Sequence, residues 1–101
     1  SALSFNFNTV KVLARPAPKP GLKPVVVVDP DMAYIRVHNR AVTVPRGRKN
    51  GLIVNRLDRN SYNDITLTGS IREDAPRAKY YLNITDPPYY TGAVFKDILR
   101  K

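Results

Sequence analysis

The chain is 101 residues long and carries 17 basic against 8 acidic residues, a formal net charge of +9 at pH 7. It contains no cysteine, which excludes a disulfide framework, a thiolate metal site and a cysteine nucleophile. Hydrophobic residues make up 43% of the sequence, enough for one domain with a modest core. No apolar stretch approaches the roughly 18 residues that a membrane-spanning helix needs. The composition favours a single basic domain without a transmembrane segment.

The N-terminal segment contains no acidic residue before Asp29 and is rich in proline. Residues 3–13 alternate as a strand would, with a one-residue slip between Phe7 and Val10 that a β-bulge would explain. Residues 14–24 contain four prolines, which cannot donate to a β ladder, so we expect an extended, polyproline-like strap there. The sequence thus predicts an extended arm over residues 1–24 and a single β domain over residues 25–101.

Short alternating segments separated by turn residues follow the arm and indicate strands. The alternation is clearest in residues 33–39, 64–72 and 77–85, where every second side chain is apolar over most of each segment. Residues 41–57 are predicted to form a hairpin, because two apolar runs flank a loop that ends in Asn-Gly.

Helix is expected only near the C-terminus, where residues from Thr91 onward fit either a short capped helix or a final strand. The predicted fold class is therefore all-β and mainly antiparallel. It would be a one-sided sheet, or a small barrel or sandwich, with the proline-rich arm at its N-terminus.

Catalysis is not expected from this composition. The sequence has one histidine, His38, and no pair of acidic residues at a spacing that would bring two carboxylates together. Arg36 is predicted to lie beside His38, and a neighbouring positive charge lowers the basicity of an imidazole. No glycine-rich phosphate loop precedes a helix. We expect no enzyme activity, metal site, cofactor or small-molecule substrate.

Basic residues share the predicted polar strand faces with aromatic and hydroxyl groups. Arginine and lysine neutralise phosphates, hydroxyl groups hydrogen-bond to them, and a tyrosine ring can stack on an unpaired base. The alternative is an ordinary solvated sheet face. The candidate residues for binding nucleic acid, DNA or RNA alike, are Lys19, Lys23, Tyr34, Arg36, Arg46, Arg48, Lys49, Arg77, Lys79 and Tyr81.

A proline-rich arm combined with a basic β surface resembles, in architecture and charge, many small viral coat proteins. The resemblance implies a self-assembling shell subunit that contacts packaged nucleic acid and occurs in the virion, or in the host cytoplasm before assembly. The start of the chain lacks the basic and apolar regions of a signal peptide, so we predict none. The predicted subunit contacts are Phe5, Phe7, Pro16, Pro18 and Pro20.

Two other functions are compatible with the same residues. One is a small module that binds single-stranded nucleic acid, in the manner of an OB-like barrel. The other is a virion accessory protein that binds an acidic protein surface.

Overall fold

A computed structural model describes residues 7–85, and every regular element in that part of the chain is a β-strand. The predicted all-β fold is confirmed; the helix or strand predicted from Thr91 lies outside the described residues. The strands form two sheets, A and B, whose inner faces share one core. The strands are β1 (Phe7–Arg15), β2 (Val25–Asp29), β3 (Ile35–Asn39), β4 (Val42–Val44), β5 (Gly51–Asp58), β6 (Asn63–Arg72) and β7 (Ala78–Thr85).

Sheet A is antiparallel and has the order β2-β1-β7, so that the N-terminal strand lies at its centre. The ladder between β1 and β7 is continuous over all eight of its residue pairs. The bulge predicted in this segment is therefore wrong. Val10, Val12 and Ala14 of β1 are fully buried, because alternate residues of a regular strand point to the same face.

Sheet B is built around β6. β5 pairs antiparallel with one side of β6, while β3 and then β4 pair parallel with the other side. Ser70 pairs with Val42 of β4 and also with Gly51 of β5, which places β4 and β5 on opposite sides of β6. The predicted hairpin over residues 41–57 is wrong because the loop between these strands crosses the end of β6.

The core between the sheets is formed mainly by β1, β6 and β7. Burying a whole Leu, Ile or Val side chain contributes about 1.5–3 kcal/mol, so the loss of a few such residues would remove a large part of the small net stability of a domain. Thr43 and Asn63 are the fully buried polar side chains among the largest buried residues. The core cluster consists of Val10, Val12, Ala14, Ala41, Ile65, Leu67 and Ile84.

The proline-rich segment, residues 16–24, is a loop that connects β1 to β2. Arg15 and Val25 are paired across the antiparallel ladder, so the two ends of the loop are adjacent. The chain turns at Gly21, whose φ of +92° suits glycine. The prediction of an extended strap is wrong for this segment, and the division predicted at residue 24 falls inside a hairpin of sheet A.

The proline-rich loop is held to β4 by Thr43. The Ala17 amide donates to Thr43 Oγ1 at 3.0 Å. The Gly21 amide donates to the Thr43 carbonyl, and the Thr43 amide to the Leu22 carbonyl, both at 2.8 Å. The loop thus occupies the backbone edge of β4, which would otherwise be open to another chain.

Candidate nucleic-acid interface

The outer face of sheet A, here called the basic face, carries the side chains that alternate with the core residues of β1, β2 and β7. Arg77 immediately precedes β7 and lines the same shallow groove as Arg15 and Val25. The face consists of Thr9, Lys11, Leu13, Arg15, Val25, Val27, Asp29, Arg77, Lys79, Tyr81 and Asn83.

The strand register arranges these residues in rows across the three strands. Successive rows lie about 6.8 Å apart, because two residues of a strand separate them. The rows are Asp29–Lys11–Tyr81, Val27–Leu13–Lys79 and Val25–Arg15–Arg77. Arg77 lies just before the paired residues of β7, and it belongs to the third row because it lines the same groove as Arg15.

Positive charge dominates the basic face. Its cations are Lys11, Arg15, Arg77 and Lys79, and its one acidic residue is Asp29, the Cα partner of Lys11. Arg15, Arg77 and Lys79 are exposed, and none of the four cations forms an ion pair within the described residues. Like charges that form no ion pair create a local positive potential that attracts polyanions.

Tyr81 is the most exposed large hydrophobic or aromatic side chain described, at 65%. Its neighbour Tyr80 packs against the core, as the alternation of residues 77–85 requires when Tyr81 points outward. Beyond Tyr81, the Thr9 hydroxyl donates to Asn83 Oδ1 at 3.2 Å. An aromatic ring is thus fixed on a paired strand next to a lysine, with its surface open to solvent.

The predicted basic cluster Arg46-Gly-Arg48-Lys49 lies in the loop that crosses the end of β6. A turn closes from the Arg48 amide to the Pro45 carbonyl at 3.2 Å, and the Arg46 amide donates to Glu73 Oε2 at 3.3 Å. The three basic residues are exposed. Arg48 and Lys49 line a second shallow groove, whose other residues come from Gly21, β4, Pro45 and Ser70.

The other predicted binding residues lie elsewhere. Lys19 and Lys23 are exposed on the proline-rich loop, and Arg36 is exposed on the outer face of sheet B. Tyr34 precedes β3 and packs against the core, so its predicted place beside Arg36 on the polar face is wrong. The predicted polar faces do not form one surface, because β3 and β6 belong to sheet B and β7 to sheet A.

The structure also places the predicted subunit contacts. Pro16 is half-buried, and Pro18 and Pro20 are exposed. Phe5 lies outside the described residues, and Phe7 is described only by its backbone pairing with Thr85.

Lys11 and Arg15 belong to the basic face but were not among the predicted site residues. They alternate in the sequence with Val10, Val12 and Ala14, which are buried, and this alternation is the signal that could have placed them on an exposed strand face. Only the pairing of β1 with β7 shows that they adjoin Lys79 and its neighbours.

The outer face of sheet B contains a compact charged cluster. His38 Nε2 lies 2.7 Å from Asp64 Oδ1, and Arg59 Nε donates to Asp64 Oδ2 at 3.0 Å. Hydrogen bonds from His38 and then Arg59 lower the pKa of Asp64, although partial burial opposes the shift. Nearby, the Arg36 guanidinium lies 3.9 Å from the centre of the Tyr62 ring, a cation–π contact. These hydrogen bonds and the cation–π contact give the charged residues of this cluster a structural role.

Acid is expected to destabilise the protein partly through Asp64. Because its folded-state pKa is lowered, its contribution is present above the unfolded value near 3.8 and is lost as pH falls through the folded value. As the pH falls from about 4 to about 2, the free energy of unfolding should therefore decrease less for Asp64→Asn than for the wild type. Urea titrations at each pH measure this difference. Equal slopes of unfolding free energy against pH for Asp64→Asn and the wild type would contradict the prediction.

The described residues contain no group of three or more His, Cys, Asp or Glu side chains that could hold a metal ion. Within residues 7–85 there is also no helix long and apolar enough to cross a membrane. Comparison with known proteins found neither a matching family model nor a matching curated protein.

Proposed function

We propose that this protein is non-enzymatic and binds nucleic acid by contacting phosphates with its basic face. The supporting observation is the grouping of Lys11, Arg15, Arg77 and Lys79 on one sheet face that includes a single acidic residue, Asp29. The net charge of +9 extends the attraction over the rest of the surface. The basic loop containing Arg46, Arg48 and Lys49 offers a second, separate phosphate contact.

Binding of a fluorescently labelled oligonucleotide, followed by anisotropy at several salt concentrations, tests this proposal. Each phosphate contact to a single strand adds about −0.7 to the slope of log K against log salt. The Arg77→Gln/Lys79→Gln variant should therefore have a slope about 1.4 units less steep than the wild type. Lys19→Gln/Lys23→Gln removes the same charge from the proline-rich loop and serves as the matched control.

Two results would count against the proposal. Affinity that does not fall with salt would exclude binding through phosphates. Equal effects of the two double variants would show that net charge, and not the basic face, determines binding. Binding of an acidic protein by a chain that does not bind the oligonucleotide would instead favour the accessory-protein alternative.

A second candidate is a self-assembling shell subunit, such as a virion coat protein, that contacts packaged nucleic acid. It is supported by exposed apolar side chains on both sheets, among them Val27 at 52%, Ile53 at 53% and Leu57 at 50%. β5, which carries two of them, pairs only with β6 among the described strands and so leaves one edge available to another copy. Light scattering on the same samples separates the candidates, because a shell gives large particles and a binding module gives monomers or dimers.

A further inference from the structure

The basic face combines its cations with an apolar strip. Val25 and Val27 of β2 are 38% and 52% exposed, and Leu13 of β1 is the Cα partner of Val27. These three side chains line one groove together with Arg15 and Arg77. Apolar groups and guanidinium groups are therefore available to the same ligand.

Tyr81 lies on the same sheet face as this groove, on β7, two residues beyond Lys79, which is the Cα partner of the groove residue Leu13. It is the Cα partner of Lys11, so ammonium groups lie across from it and two residues before it. Because β7 is paired with β1 along its whole length, the backbone beneath the ring is held in place before any ligand binds. Its 65% exposure leaves the ring surface accessible.

We propose that the basic face recognises single-stranded nucleic acid, with Tyr81 as the stacking platform for a base. A duplex presents phosphates outside and keeps its bases stacked inside, so it can use the cations but gains little from Leu13, Val25, Val27 or the tyrosine ring. A single strand offers both phosphates and unstacked bases. A single strand can therefore contact both the cations of the face and its apolar side chains. The inference depends on the nucleic-acid binding proposed above.

The test measures the affinities of Tyr81→Leu and Tyr81→Phe for a labelled single strand and for a duplex of the same sequence. Tyr81→Leu retains an apolar side chain but removes the ring, and should weaken single-strand binding by about tenfold, within the range of base–aromatic stacking. Duplex affinity should change less than twofold. Tyr81→Phe retains the ring and should bind the single strand like the wild type. Far-UV circular dichroism checks that each variant is folded.

The outcomes distinguish this inference from the proposed function. Equal losses on single strand and duplex, or no loss for Tyr81→Leu, would overturn the stacking role, while the salt dependence of the wild type would still support phosphate binding. Absence of salt-dependent binding to either probe would remove both proposals. Concentration-dependent dimerisation that Val27→Ser abolishes, without any effect on oligonucleotide binding, would assign the face to a second copy of the chain and overturn the inference.

Discussion

Gly69→Ala is expected to lower the free energy of unfolding by about 2–5 kcal/mol, from left-handed backbone strain together with overpacking. Gly69 has a φ of +87° in the middle of β6, between the segment that pairs with β3 and the segment that pairs with β4. A Cβ atom there would collide with the carbonyl oxygen of Gly51 in β5. Neither backbone can easily move, because β5 and β6 are paired along their length. Urea denaturation followed by circular dichroism measures the loss.

Gly47→Ala is the matched control for this variant. Gly47 has nearly the same φ, +85°, but among the described residues no atom beyond Gly47 and its two chain neighbours lies within 4 Å of the position where its Cβ would be. It should show only the backbone cost, about 1–2 kcal/mol. If the two variants lost equal stability, the close approach of the carbonyl to Gly69 would have no energetic consequence, and the packing of β5 on β6 would be looser than the structure shows.

Period-two alternation predicted the strands and their buried sides well. Ile65, Leu67 and Ile71 of the alternating segment 64–72 are buried on β6, and Tyr80 of the segment 77–85 packs against the core from β7. Alternation could not predict which strands pair, because β3 and β4 pair parallel with β6 over a long sequence separation. Alternation sets which face a residue occupies but does not choose its neighbouring strand.

Local turn chemistry was misleading around Asn50. Asn-Gly favours a two-residue hairpin, but here the Asn50 side chain accepts a hydrogen bond from the Arg72 amide at 2.9 Å. The Ser70 hydroxyl donates to the Lys49 carbonyl at 2.8 Å nearby. These contacts hold the crossing loop at the end of β6, and they depend on tertiary structure that a dipeptide preference cannot report.

The candidate site could be predicted only in part. The alternation that places Lys79 and Tyr81 on one face is confirmed, whereas their role in binding stays a prediction. The predicted arm over residues 1–24 includes Lys11 and Arg15, because the nearby prolines indicate a segment that stands apart from the domain. Proline prevents ladder bonding only at its own position, and β1 ends at Arg15, one residue before the first proline.

A chain that lacks residues 1–24 is expected not to fold. The deletion removes β1, the central strand of sheet A, so that β2 and β7 lose the partner that joins them. It also removes the fully buried Val10 and Val12, each of which contributes about 1.5–3 kcal/mol. A small domain has about 5–15 kcal/mol of total stability, and the unpaired backbone of β2 and β7 adds to the loss.

Circular dichroism and amide NMR spectra of the fragment 25–101 test this expectation, which opposes the independent β domain predicted from the sequence. The fragment should lack cooperative thermal unfolding and dispersed amide signals. Pro18→Ala/Pro20→Ala is the control, since both prolines are exposed and β1 is kept, and this variant should unfold cooperatively like the wild type. A folded fragment would show that residues 1–24 are an appendage after all. The buried side chains of β1 would then be dispensable, and the basic face would have to function without Lys11 and Arg15.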